Sequence, residues 1–254
     1  MTGNIVDFQN RRRSAPSLYW VSEYASPKWA PNADHWIHTA RHEAGHAVAL
    51  VCMHRKFGRD YDSFERILIR PGATDSYVTK RGRRSDCLGC VEHAGSEHLS
   101  QRVSAPVSRP EKHQELRSSD PALKQLIAVS LETKIVSNLA GPLAEMLSWN
   151  ASADLHSKEY NWAWEDNEEE IQSVGKCVDD LRAVTGTGTI GSFERQSYDL
   201  VRREWPAIAA LADRLMLRHV LEYDEAFAII APRLTCFAPI ARAALNSSRL
   251  CRRI

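Results

Sequence analysis

The sequence predicts a mainly α fold with a small inserted β-sheet, and three observations lead there. Two long segments, about 34–55 and 121–149, place apolar residues at spacings of three and four. Four further helical segments follow, from about Asp166 and at 193–204, 206–219 and 223–231. Only two stretches have β character, and both fall between the long helices.

In the first long segment Ile37, Ala40, Ala44, Ala47 and Val48 mark one face, with Asp34 as its expected N-cap. Strands are expected at 64–70, which stops at the turn signal Pro71-Gly72, and at about 86–93, with a polar, Arg-rich loop between them. Residues 99–119, rich in Ser, Pro, Arg and Glu, read as a surface connection. Pro121 suits the first turn of the second long helix, whose apolar face runs through Leu123, Leu126, Ile127, Leu131, Ile135, Leu139, Leu143, Met146 and Leu147. Residues 150–165 read as a polar, Trp-containing connection, and the next helix turns Ile171, Val174, Val178 and Leu181 to one side. The chain thus divides into an irregular arm (1–33), one domain (34–231) and a tail (232–254).

The 254 residues are 43% hydrophobic and 26% charged, enough for one substantial core. A formal net charge of +1 argues against nucleic acid as a partner. No apolar run approaches the ~20 residues of a membrane-spanning helix, and Met1 to Arg13 lacks the apolar stretch of a secretory signal. The chain is therefore expected to be cytoplasmic, without membrane contact, its six cysteines thiols rather than a disulfide framework.

Chemistry concentrates at His42-Glu43-Ala44-Gly45-His46. Positions i and i+4 of a helix share a face, so His42 and His46 can offer imidazole nitrogens to one ion. Glu43 then stands where it can take a proton from water, the arrangement of two ligands and a general base in His-Glu-x-x-His. Zn2+ is the expected metal, because imidazole and carboxylate suit it and hydrolysis needs a Lewis acid without redox chemistry. Gly45 inside a helix costs ~1 kcal/mol relative to Ala, which calls for a packing or functional reason. A third ligand is required, and Glu145, Asp154, His156, Glu165, Asp166 and the run Glu168-Glu169-Glu170 are the candidates. His38, one turn before His42, is read as a neighbour of the site. Glu145 is read as either a carboxylate that orients a ligand histidine or a charged residue packed close by. Trp162 and Trp164 are assigned to packing. Cys87 and Cys90, with His93 and His98, have spacing that could hold a second, structural zinc, but they are compressed into twelve residues where the usual site has two separated pairs, and buried thiols are the preferred reading.

The stretch His42-Glu43-Ala44-Gly45-His46-Ala47 resembles the His-Glu-Ala-Gly-His-Ala motif of the FtsH-family peptidase domain. Leu139 to Glu145 is similar to that family's Gly-Gly-x-x-Ala-Glu helix, Leu88-Gly89-Cys90-Val91 to its strand beside the active site, and Val201 to Phe227 follows its closing helices. The resemblance, over roughly 36–230, implies a zincin-like helix in an FtsH-type helical peptidase domain that hydrolyses peptide bonds. It implies an aspartate as third ligand, early in the helix after the Ala-Glu helix. Asp166 is preferred, because a ligand opening a helix with its own apolar face is rigidly held. Asp154 remains the alternative, since Ser152-Ala153-Asp154-Leu155 matches the family's letters more closely. Leu88, Gly89, Cys90 and Val91 are expected to bind an extended polypeptide substrate by adding it to the sheet.

The family's phosphate loop, Gly-x-x-x-x-Gly-Lys-Ser/Thr, does not occur in this chain. An ATP-independent endopeptidase is therefore expected, acting on flexible segments, as a monomer or small oligomer, with a separate ATPase as a possible partner. The rival expectations are a catalytically silent scaffold that keeps the fold and a regulatory protease dedicated to one partner.

Overall fold

The computed structural model describes residues 33–58, 63–71, 77–78, 84–85, 88–92 and 121–235. It shows a mainly helical body with a small antiparallel sheet. In chain order the elements are α1 (Ala33–Lys56), β1 (Arg66–Ile69), β2 (Tyr77–Val78), β3 (Arg84–Ser85), β4 (Gly89–Glu92), α2 (Pro121–Trp149), α3 (Lys158–Asp166), α4 (Glu168–Thr185), α5 (Ile190–Arg203), α6 (Trp205–Arg218), β5 (Val220–Glu222) and α7 (Tyr223–Ile230), followed by a 3-10 turn, Ala231–Arg233.

Helix α1 is the centre of the molecule. Every residue from His42 to His54 is buried, so the helix is covered on all sides rather than along one stripe. Helix α2 crosses it, α6 packs on another side, and α4 and α5 pack on α2. The crossing depends on small residues. A methyl at Gly45 would lie 2.5 Å from the carbonyl oxygen of Ala140 and 2.8 Å from Cβ of Ala144. The two backbones meet there, which accounts for a glycine inside this helix despite its propensity cost.

The sheet has the order β4-β1-β5, with β1 antiparallel to both neighbours. Ile67, Leu68 and Ile69 are all buried, as the middle strand of a sheet covered on both faces requires. Burying each such side chain contributes about 1.5–3 kcal/mol. In β1, Ile69 N–H donates to His219 O and Arg70 N–H to Leu88 O. Successive residues of β1 therefore turn to opposite neighbours, and by the same alternation Gly89 and Val91 of β4 direct their backbone N–H and C=O away from β1.

Several elements depart from the sequence expectation. Helix α1 begins at Ala33, so Asp34 lies inside its first turn rather than capping it. The expected strands shorten to β1 and β4, and the Arg-rich loop between them contains the paired strands β2 and β3. Leu123 and Leu126 are exposed, and burial in α2 starts at Ile127. The stretch read as a connection contains α3, started by Ser157, whose hydroxyl accepts from Tyr160 N–H. Consequently Asp166 ends a helix instead of opening one. The packed body runs on past the 3-10 turn: Leu234 is buried, and Thr235 donates from N and Oγ1 to the buried carboxylate of Glu204. Among the described residues, no helix is long and apolar enough to cross a membrane.

Candidate metal centre

Three ligand atoms converge where α1 and α2 cross and α4 begins. Nε2 of His42 and Nε2 of His46 lie 2.9 Å apart. Glu170, in the first turn of α4, brings Oε1 to 3.3 Å from Nε2 of His46 and Oε2 to 3.6 Å from Nε2 of His42. All three ligand atoms lie within 4.8 Å of one another, and the group is able to hold a metal ion.

The protonation pattern of the two rings follows from their outer partners. Nδ1 of His46 is 2.7 Å from the backbone oxygen of Ser137, which can only accept, so that nitrogen carries the proton. Nδ1 of His42 donates in the same way to Oε2 of Glu145, at 3.1 Å. Both Nε2 atoms are thereby left with lone pairs, 2.9 Å apart and beside Glu170. Oε2 of Glu170 is buried and has no hydrogen-bond partner. Three acceptors facing one another without a donor repel unless a cation stands among them, and a divalent ion fits that need. Without a metal, protons take its place. Burial works against charge on His42, but Glu145 and Glu170 outweigh it and hold its pKa well above the usual value. His46 is raised against the same burial, mainly by Glu170. Burial likewise opposes charge on Glu170, and the two histidines overcome it to hold its carboxyl well below the ordinary carboxylate range.

Helix α2 forms the back wall. A methyl at Gly141 would overlap the ring of His46 and lie 2.9 Å from Nε2 of His42. The next residue, Pro142, has no N–H to donate to the carbonyl one turn earlier. This same turn supplies Ser137 O to His46. Gly141→Ala is expected to displace both imidazoles. Crowding of this kind costs about 1–3 kcal/mol, so thermal melting in chelator should fall and metal uptake by elemental analysis should weaken together. Unchanged uptake would show that the wall is not close.

Glu43 is buried beside the centre, on the side of β4. A methyl at Gly89 would lie 2.5 Å from Cγ and 2.6 Å from Oε1 of Glu43. The strand segment Leu88 to Val91 thus runs against this carboxylate, with Leu88 exposed and Cys90 partly buried. Cys87, His93 and His98 lie outside the described residues.

The remaining sequence candidates are placed elsewhere. Asp166, preferred above as the third ligand, is not in the group; the carboxylate that meets the histidines belongs to Glu170. The short helix α3 ends at Asp166 and hands the chain over to α4, whose first turn, not the preceding residue, reaches the centre. Asp166 is exposed as a residue, yet its carboxyl is crowded enough that burial, with the charges of Glu145 and Glu165, pushes its pKa up to about 6. Asp154 is occupied in a turn, where Oδ1 accepts from His156 N–H at 2.8 Å. His38 bonds Oγ of Ser148 and faces Trp149, and is a neighbour of the site. Trp162 packs edge-on against Trp149, and Trp164 lies over Tyr160, as packing residues do.

The sequence reading does not include Ser137 or Asn167, and Gly141 enters it only within the Leu139 to Glu145 match. A Gly-Pro pair in mid-helix, opposite a glycine-containing His-Glu-x-x-His helix, is the signal that marks Ser137 and Gly141. Asn167 has a weaker one, as the polar residue between two helical stretches. In comparisons with known proteins, no protein-family model matches this chain and no curated protein matches it, so the chemistry of the site rests on its own geometry.

Proposed function

We propose that this chain is a zinc-dependent, ATP-independent endopeptidase, with His42, His46 and Glu170 holding the ion and Glu43 acting as general base. The observation that supports this most is the convergence of three acceptor atoms on one point, with the buried Glu43 carboxylate next to them and a strand alongside. Two histidines and a glutamate are an established donor set for catalytic zinc, which needs three protein ligands and an open position. When bound, such an ion supplies Lewis acidity, polarising a carbonyl and acidifying water.

The chain's own residues supply the other parts. Glu43 takes the proton from the attacking water and gives it to the leaving amine nitrogen, the two halves of general acid–base catalysis. Glu145 and Ser137 O hold the histidine rings in the tautomer that turns Nε2 inward. Strand β4 offers the outward N–H and C=O of Gly89 and Val91 to an extended polypeptide, so that main-chain pairing sets the substrate's register beside Glu43. The resemblance to the FtsH-family peptidase domain agrees with this reading, with glutamate in place of the family's aspartate as third ligand. In that light the chain is a cytoplasmic relative of that peptidase domain, suited to flexible segments.

Incubating the zinc-loaded chain with a panel of unfolded proteins tests the proposal. Cleavage that stops with chelator and returns with zinc is the expected result. A fully metal-loaded chain that cleaves none of them would sink the general peptidase and leave the dedicated protease or the silent scaffold. A second test concerns the strand. Gly89→Val is expected to push the Glu43 carboxylate aside and lower kcat about 10- to 100-fold, the scale of a 1 Å misplacement, with zinc content unchanged. Full activity in that variant would remove Gly89 from the site.

A further inference from the structure

The break between α3 and α4 holds a residue whose side chain is turned away from the role its position offers. Asn167 is the N-cap residue of α4, yet it makes no side-chain cap to that helix. Its Nδ2 instead donates to Oε2 of Glu145 at 3.1 Å and to the backbone oxygen of Ala163 at 2.8 Å. Both partners are acceptors, so the NH2 group, not the amide oxygen, must face them. The oxygen of Glu145 that receives Asn167 is the one that receives Nδ1 of His42. Burial opposes charge on Glu145, and these two donors are among the contacts that overcome it and hold its pKa below the usual value. Three residues along the chain, Glu170 reaches the same pair of histidines from the first turn of α4.

We infer that Asn167 is a positioning residue for the metal centre: it ties the start of α4, which carries Glu170, to the Glu145 carboxylate that orients His42. This rests on the metal reading of the site. The tie explains why asparagine stands at a helix start without capping it. One amide fixes the last turn of α3 through Ala163 O and the outer partner of a ligand through Glu145, so the third ligand arrives in register with the first two. The first turn of α4 carries Glu168, Glu169 and Glu170, whose negative charges the helix N-terminus favours without a side-chain cap.

The test is a double-mutant cycle on zinc affinity in the full-length chain, measured by competition with a chromophoric chelator. Asn167→Ala is expected to weaken zinc about tenfold, within the range for losing an outer partner of a ligand. In a Glu145→Ala background the same substitution is expected to cost about twofold or less, because the carboxylate through which it acts is gone. Asn167→Asp separates positioning from helix capping. Aspartate is a good N-cap but cannot donate to Glu145, and sets a second negative charge against it. It should bind zinc at least as poorly as Asn167→Ala. Additive losses in the cycle, or wild-type zinc affinity in Asn167→Asp, would overturn the inference. A wild-type chain that takes up no zinc would remove the metal reading and this inference with it. Zinc-bound wild type with an additive cycle removes this inference alone.

Discussion

Glu43→Gln is expected to keep its zinc and to lose about 10²- to 10⁴-fold in kcat, the contribution of a positioned general base. The substitution keeps the shape of the side chain, so the contact with Gly89 and the packing of α1 persist. It removes only the ability to take up a proton. Glu43 does not belong to the ligand group of His42, His46 and Glu170, so metal content by elemental analysis should not change. Stability should hold or rise slightly, because Glu43 is buried and a neutral amide costs less to bury than a carboxylate. KM should move little, since the side chain acts on the attacking water rather than on substrate binding. Retained turnover with retained zinc would show that another group takes the proton and would end the base assignment.

What could be read from the sequence, and what could not, divides along the range of the interactions. His42 and His46 are one helical turn apart, so their shared face follows from the period of α1 alone. Helix α2 was legible from its large apolar residues, Ile127, Leu131, Ile135, Leu139, Leu143, Met146 and Leu147, which recur at spacings of about three and four, although its burial from Leu139 to Ala144 is continuous. Helix α3 buries only Glu159 and Ala163, too few to show a period, and its one local signal is the Ser157 cap. With that short helix unread, the next one is expected to start at Asp166, whereas the carboxylate that lies beside the histidines is that of Glu170. Strand β5 has three residues and exists because it pairs with β1, a partner some 150 residues away that no local pattern announces. The back wall at Gly141 is also a property of two helices together. It appears only when the crossing at Gly45 and Ala140 is known, and that crossing sets which turn of α2 faces the imidazoles.

The second large effect concerns the third ligand, and it discriminates between the two carboxylates that local and tertiary reasoning select. Wild type is expected to hold one zinc per chain. Glu170→Ala should lose it, with a fall in affinity beyond the about 10- to 100-fold that removal of an outer partner costs. Asp166→Ala should keep it, because Asp166 lies at the end of α3 outside the ligand group. The charges make the contrast sharper. Glu170 stays ionised beside the histidines, with its pKa held far below the usual range, and one of its buried oxygens lacks any hydrogen-bond partner. Asp166 is raised to about 6 with Glu145 and Glu165 nearby, so it is the more readily protonated of the two. A ligand must be ionised and have an unshared oxygen beside the other ligand atoms; Glu170 is held ionised, and its unpartnered Oε2 lies 3.6 Å from Nε2 of His42. Glu170→Asp adds a graded measure: the carboxylate is kept but drawn back by one methylene, so zinc should bind more weakly than in wild type and more tightly than in Glu170→Ala. The reverse pattern, zinc kept in Glu170→Ala and lost in Asp166→Ala, would mean that α3 and α4 rearrange around the metal and that the aspartate implied by the family resemblance is the ligand after all.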